Sequence, residues 1–213
     1  MDFSPLLQQT MSTLWYLPFI AVLLIIIKSS WFKGKAGELI VNLFTMLMLN
    51  KKQYHLIKNV TLPTLDGTTQ VDHIIVSVYG VFVVETKHMK GWIFGSARQK
   101  IWTQKIYKHS SKFQNPLHQN YKHLKTLEKL LALDEAQLHS LVVFIGDCQL
   151  KTKMPENITK GLGYVRFVKS KKEKVLSEND VIRVVNEIKK TRLTPSLRTD
   201  RQHIKHVREI VGD

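Results

Sequence analysis

The sequence predicts a mixed α/β layer fold preceded by a single membrane-crossing helix. Three observations predict it. An uncharged, mostly apolar stretch, Phe3 to Ile27, is followed at once by Lys28, Lys33 and Lys35. Several strand-like runs then crowd between Tyr54 and Gly95, punctuated by Asp66-Gly67 and Tyr79-Gly80. Helix-period stripes follow, opened by Asn115-Pro116 and by Ser177. Helix, three or four strands, helix, two strands and further helices is the order of a layered α/β domain.

Leu14 to Ile27 is nearly all apolar and Met11-Ser12-Thr13 extends it without charge; the whole uncharged stretch Phe3 to Ile27 is long enough for the ~20 residues of a bilayer span, and its strictly apolar part makes a compact one. Pro18 is tolerable inside such a helix. Trp15 and Tyr16 suit one interface and Trp31 the other. The lysines after the run place the N-terminus outside and the remainder in the cytoplasm. The expected anchor is residues 11–27, single-pass, in a bacterial inner (plasma) membrane. A cleaved signal peptide wants positive charge before its apolar run, whereas here Asp2 stands there without Lys or Arg. A buried helix of a soluble domain is the other alternative.

Lys28 to Lys35 reads as a short basic linker. From Gly37 to Leu49, apolar residues recur on most sides, the pattern of a largely buried helix. Tyr54–Pro63, Gln70–Ser77, Val81–Thr86 and Gly91–Gly95 read as strands, with a hairpin turn at Asp66-Gly67. Lys100 to Tyr107 is strand or loop. Pro116 to Leu131 is a helix with proline in its first turn and a stripe of Leu117, Tyr121, Leu124, Leu127, Leu130 and Leu131. Leu141–Ile145 and Tyr164–Val168 read as two more strands. Ser177 with Asp180 resembles a capping box for a helix reaching about Lys189, and Thr194-Pro195 ends it. A last basic helix is expected over Leu197–Val211.

Composition narrows the partners. Lys plus Arg number 32 against 17 Asp plus Glu, a formal charge of +15. Such a surface favours polyanions, either nucleic acid or acidic lipid headgroups. The basic C-terminal region, from Lys169 to Arg208, suits phosphates along DNA and acidic lipid under the anchor equally well. One cysteine, Cys148, excludes an internal disulfide and a multi-cysteine zinc site, and reads as a small packing residue. No G-x-x-x-x-G-K-[ST] loop occurs, which argues against nucleotide hydrolysis.

The chemistry-bearing residues lie on two of the predicted strands. Gln70-Val71-Asp72-His73-Ile74-Ile75-Val76-Ser77 and Val81-Phe82-Val83-Val84-Glu85-Thr86-Lys87 each carry acid where a core strand carries none. Residues two apart on a strand share a side, so Glu85 and Lys87 project together. A tight turn brings Asp72 near them. Two carboxylates and an ammonium at one place suit Mg²⁺-dependent phosphodiester hydrolysis. The metal takes hard oxygen ligands, screens the phosphate and activates water, and a lysine stabilises developing negative charge. Glu38 adds a third carboxylate if its helix packs against these strands. The competing readings are a solvent-facing Glu85–Lys87 pair, a turn-capping Asp72, and a Glu38 placed by the helix dipole. Asn115 and Gln119 position substrate or cap the helix. Trp92, Trp102 and Phe113 stack on bases or pack the core. His118 and His123 do not share a helix face well, and His203 and His206 lack a third metal ligand, so the histidines read as structural or surface residues.

These residues, with Gly37-Glu38, Gly67-Thr68-Thr69-Gln70, Lys90-Gly91, Trp102 and Asn115-Pro116-Leu117-His118-Gln119, resemble the nuclease-related domain family, called NERD. The resemblance runs from about Gly34 to Phe144. It implies the PD-(D/E)xK, restriction-endonuclease-like fold, a mixed central sheet flanked by helices. It implies Asp72 and Glu85 as metal ligands for Mg²⁺ or Mn²⁺ and Lys87 as the catalytic lysine. Glu38 matches the superfamily's acidic helix position and Gln119 its downstream polar position. The expected organisation is residues 1–28 as the membrane segment, 29–36 as linker, 37–150 as the nuclease-like domain and 151–213 as a basic strand-and-helix region. The expected function is hydrolysis of DNA, with RNA second, at the membrane. The alternative is a non-catalytic nucleic-acid-binding or scaffold protein on the same fold.

Overall fold

In a computed structural model the chain is described over residues 14–64 and 67–194. The first residues of the expected span, the Asp66 half of the hairpin turn, Pro195, the helix expected over Leu197–Val211, and His203 and His206 lie outside the described residues. The chain divides into two compact units, residues 1–36 and 37–213.

In the first unit, helix α1 (Leu17–Lys28) carries Pro18 in its first turn and has no buried residue. Its 12 residues rise only ~18 Å, against a hydrocarbon thickness of ~30 Å. Among the described residues no single helix is long and apolar enough to cross a membrane. Leu17–Lys28 and Trp31–Met48 meet the requirement of length and composition only when taken together. The Lys28–Lys35 stretch, expected as a linker, is mostly helical. Helix α2 runs Ser30–Met48, so it begins seven residues before the predicted Gly37. Lys33 and Lys35 are good helix formers, and the single Gly34 between them costs only ~1 kcal/mol.

The second unit is built on two mixed sheets flanked by helices. Strands β1 (His55–Thr64), β2 (Gly67–Ser77), β3 (Gly80–His88), β7 (Leu138–Ile145) and β9 (Ile158–Lys160) form the first, in the order β1-β2-β3-β7-β9. The first three are antiparallel neighbours, while β3, β7 and β9 run parallel. Strands β4 (Gly91–Phe94), β5 (Ile101–Ile106), β6 (His109–Gln114) and β8 (Cys148–Leu150) form the second, in the order β6-β5-β4-β8. The ambiguous Lys100–Tyr107 stretch is thus a strand. β6, β8 and β9 had no clear pattern of their own, being polar or only a few residues long.

Helices α3 (Pro116–Leu131) and α5 (Glu178–Thr191) cover one face of the first sheet. There Leu124, Leu127, Leu131, Val184 and Ile188 pack on Ile74, Val76, Val81 and Val83. The Ser177–Asp180 capping box is present, Ser177 Oγ accepting the Asp180 N–H at 3.1 Å. α2 and α4 (Gly163–Ser170) cover the other face, where Val41, Leu49, Tyr164, Val165 and Val168 meet Ile75, Phe82 and Val84. Tyr164–Val168 was expected as a strand and is helical instead. Its buried residues Tyr164, Val165 and Val168 fall at positions i, i+1 and i+4, a helical stripe hidden in a short apolar run.

α3 also departs from its predicted stripe. Tyr121 is 58% exposed, and Asn120 and His123 are buried beside Leu124, Leu127 and Leu131. Two polar groups therefore face the sheet, which places them next to the candidate site. The second sheet buries Ile93, Trp102 and Cys148 against Val142 and Phe144 of β7.

Candidate active site

The β2–β3 hairpin builds the site. Ser77 pairs with Gly80 and His73 with Val84, so the register carried one step further sets Asp72 opposite Glu85. The two turn residues are Val78 and Tyr79, one position earlier than the expected Tyr79-Gly80. Gly80 has φ +117°, and a Cβ there would lie 2.8 Å from the Gln137 carbonyl oxygen, so glycine keeps this turn tight. Facing residues of an antiparallel pair project to the same side, here the side covered by α3.

Glu85 is 3% exposed and is met from two directions. Lys87 Nζ lies 2.7 Å from its Oε1. His123 Nε2 lies 3.4 Å from its Oε2, an ion-pair distance without hydrogen-bond alignment, so that both atoms are buried without a hydrogen-bond partner. Lys87 Nζ also donates to Gln119 Oε1 at 2.9 Å. His123 Nδ1 shares a hydrogen bond of 2.7 Å with Thr69 Oγ1. Asp72 is partly buried, and its Oδ2 accepts the Thr86 backbone N–H at 2.8 Å. Glu85 and Lys87 are therefore not a solvent-facing pair, and Asp72 caps no turn at the β2–β3 connection.

Burial pushes the Asp72 carboxyl well above the usual carboxylate range. The like charge of Glu85 pushes the same way and Glu38 adds to it, while the Thr86 N–H and Lys87 pull back. Burial alone would raise Glu85 too, but the Lys87 ammonium, joined by His123, outweighs it and holds that carboxyl below its ordinary value. The two acids are thus pushed apart, one toward the neutral form and one toward the charged form.

Glu38 approaches from α2. Its backbone carbonyl oxygen lies 3.2 Å from His73 Nε2, and its charge is felt at Asp72. The preceding Gly37 makes this approach possible, because a Cβ there would lie 3.1 Å from the Cβ of His88 on β3. Asn115 turns out to be a cap. Its side chain accepts the Leu117 N–H at 2.9 Å and donates to the carbonyls of Ala97 and Gln99 at 3.1 and 2.7 Å. Trp102 is fully buried, so of the three aromatic candidates it and the partly buried Phe113 pack while Trp92 is exposed. Among the described residues no group of three or more His, Cys, Asp and Glu is poised to hold a metal ion.

Sequence reasoning missed His123, Thr69 and Asn120. His123 stands four residues after Gln119, a spacing that puts both on one helix face, and this was the available signal. Asn120 Nδ2 donates to the Val83 carbonyl at 2.8 Å and to Ser140 Oγ at 2.9 Å, tying β3 to β7 just behind Glu85.

A family model described as the nuclease-related domain, NERD, matches residues 33–145. The chain belongs to the NERD family. The match covers α2 through β7, hence the hairpin, Glu38 and the Gln119–His123 face of α3. The restriction-endonuclease-like superfamily is consistent with this membership and with a mixed sheet flanked by helices. The NERD chain is 41% identical over 177 residues to an uncharacterized protein of Bacillus anthracis, an alignment covering 82% of this chain and 74% of that relative. No solved structure matches it.

Proposed function

We propose that this NERD protein is a membrane-associated, Mg²⁺- or Mn²⁺-dependent nuclease that hydrolyses phosphodiester bonds of DNA, with RNA as the second candidate substrate. The observation that carries the reading is the hairpin cluster. Asp72 and Glu85 face each other from paired strands, Lys87 binds Glu85, and Gln119 orients Lys87.

The donor set fits a divalent cation. Mg²⁺ is usually held by one or two carboxylates with waters and substrate phosphate making up the rest. Glu85 Oε2 is buried without a hydrogen-bond partner, and Asp72 is driven toward its neutral form by burial and by like charge. A cation relieves both conditions. Asp72 and Glu85 would hold it, with Glu38 near enough to add charge. When bound, it would screen the phosphate and lower the pKa of coordinated water.

The chain's own residues supply the remainder. The Lys87 ammonium, steered by Gln119, donates to a non-bridging phosphate oxygen as negative charge grows there. His123, held by Thr69, keeps Glu85 ionised and aimed. In the net reaction one P–O ester bond breaks, hydroxide from water adds to phosphorus, and the proton goes to the departing oxygen. The exposed apolar face of α1 and the exposed Leu39, Leu43 and Leu47 of α2 support attachment to the inner membrane, with residues 37–213 on the cytoplasmic side. The basic C-terminal region would add contacts to acidic lipid.

The test uses the full chain in detergent with Mg²⁺ or Mn²⁺ on plasmid, linear and single-stranded DNA. Loss of cleavage in Glu85→Ala, with an unchanged circular dichroism spectrum, supports the reading. Equal cleavage by wild type and Asp72→Ala rejects it. A formal charge of +15 favours a second reading, a non-catalytic nucleic-acid binder. Salt-sensitive DNA binding without metal-dependent cutting selects that one.

A further inference from the structure

The second sheet has two unlike faces. Ile93 and Trp102 are fully buried on its inner side. Successive strand residues alternate sides, so Trp92 and Lys105, partners in the β4–β5 register, project outward. Trp92 is 46% exposed, and Lys151 Nζ stands 4.7 Å from the centre of its ring. At the same end of the sheet the β5–β6 turn holds Tyr107 at φ +52° and leaves it 94% exposed. A two-residue hairpin turn takes positive φ at this place, so the ring is carried at the tip of the β5–β6 hairpin.

Between these residues lies an open hollow of about 650 Å³, lined among others by Trp92, Tyr107, Lys90 and Lys105. That size falls within the ~300–1,000 Å³ of small-molecule sites. Gly91 shapes it. At φ +72° this glycine lets β4 lie so close to β5 that a Cβ would strike the Lys105 carbonyl. The lysines in the lining outnumber its one acid, Asp147.

We propose that this outer face is a stacking platform for single-stranded nucleic acid, an inference that deepens the nuclease reading and rests on it. Trp92, by the ring face away from Lys151, and Tyr107 take the flat faces of unpaired bases, while Lys90 and Lys105 take phosphates. Exposed aromatic rings interleaved with ammonium groups are what single-strand binding uses. A duplex keeps its base faces stacked inside and offers the rings nothing. An acidic lipid headgroup offers charge but no ring. The platform is fixed to the candidate active site through one packed layer. Phe144, the register partner of Lys87 on β7, stacks on Trp102 with ring centroids 6.3 Å apart and planes 1° from parallel.

The experiment is fluorescence anisotropy of the full chain in detergent, in chelator so that nothing is cut. The probe is an oligothymidylate of about 12 nucleotides, within the ~4–16 covered by one stacking fold. Trp92→Ala is expected to weaken binding about 5- to 150-fold, the loss of one stacked base, while Trp92→Phe retains most of it. Tyr107→Ala gives a smaller loss in the same direction, and Lys105→Ala lowers the salt slope by about 0.7. Binding of a duplex of the same length is unchanged by Trp92→Ala. Unaltered oligothymidylate binding in both aromatic variants overturns the proposal. So does an equal loss on duplex, or a Trp92 dependence seen only with phosphatidylglycerol vesicles. Cleavage by the wild type with Mg²⁺ is read separately. If the chain does not cut but Trp92→Ala still loses the oligonucleotide, the platform stands and the catalytic reading falls.

Discussion

Replacing Lys87 by methionine tests the electrostatics of the site directly. The variant removes an ammonium 2.7 Å from Glu85 Oε1 and keeps most of the aliphatic bulk. Glu85 is 3% exposed, and the Lys87 side chain 24%. Breaking a buried ion pair from one side costs ~3–5 kcal/mol, because the remaining charge stays out of water. The partial exposure of Lys87 and the surviving His123 contact place the loss at the low end, about 3 kcal/mol. At ~2–4 °C per kcal/mol for a chain of this size, the melting temperature should fall by ~6–12 °C near neutral pH. The loss must depend on pH. In the wild type, Glu85 has its pKa lowered, so its contribution is present above the ordinary carboxylate range and disappears as pH falls through the folded value. Without the ammonium, burial dominates and the carboxyl moves up, so charging it destabilises the variant as pH rises. The gap between wild type and variant therefore widens from about pH 5 to about pH 8. Adding Glu85→Gln to Lys87→Met should recover more than half of it, and Mg²⁺ should recover part by standing in for the lost cation. Thermal unfolding of the full chain in detergent, followed by tryptophan fluorescence, measures all of this. A loss independent of pH, with no recovery in the double variant, would refute the reasoning.

Other perturbations follow from the same geometry. Asp72 has its pKa raised, so the folded state holds its proton more tightly and stability declines as pH climbs from the ordinary carboxylate range toward the raised value; Asp72→Asn should flatten that decline in a series of melts while removing cleavage, and an unchanged slope counts against the assignment. Asn120→Ala removes the side-chain donor that bridges the Val83 carbonyl and the part-buried Ser140 Oγ; the loss should be about 1–3 kcal/mol, and a loss within measurement error would mean the β3–β7 tie is unimportant. Leu39, Leu43 and Leu47 are 66, 47 and 70% exposed; changing all three to glutamate should abolish flotation of a fragment lacking residues 1–29 with vesicles and leave its melting temperature within ~1 °C, surface substitutions of this kind being nearly neutral.

Much of the β2–β3 hairpin was legible because its signals are local. The chemistry of Asp72, Glu85 and Lys87 is carried by two runs a few residues apart, and strand alternation alone sets Glu85 and Lys87 on one side. The Ser177 capping box and the Asn115-Pro116 start of α3 were legible for the same reason. What escaped was decided by packing across layers. Tyr164–Val168 is too short for periodicity to separate helix from strand. Hydrophobicity alone runs the α3 stripe through Tyr121. The helix is in fact rotated toward Asn120 and His123, whose cost of burial is offset by Val83, Ser140, Thr69 and Glu85 across the layer. No pattern within α3 reveals those partners.

The arrangement around Glu85 is a poor solution if stability were its only outcome. Two carboxyl groups face each other across paired strands, and one of them is driven toward its neutral form. One carboxylate oxygen and the imidazole nitrogen next to it lie buried without hydrogen bonds. Lys87 is shared between Glu85 and Gln119. A glutamine at position 85 would satisfy the same neighbours without the cost of a buried charge, and a purely structural ion pair would leave no oxygen empty-handed. The compensations present are partial: one backbone N–H for Asp72, one ammonium and one misaligned imidazole for Glu85. What they leave over is negative charge and free oxygen lone pairs on the side of the hairpin that α3 covers. Under the proposed function, a divalent cation would satisfy that remainder. By linkage, the pH at which Asp72 releases its proton should then fall as Mg²⁺ is added. Titrating the proton released on Mg²⁺ addition would measure that coupling, and an absence of release at a pH below the raised Asp72 value would show that the two carboxylates do not share an ion.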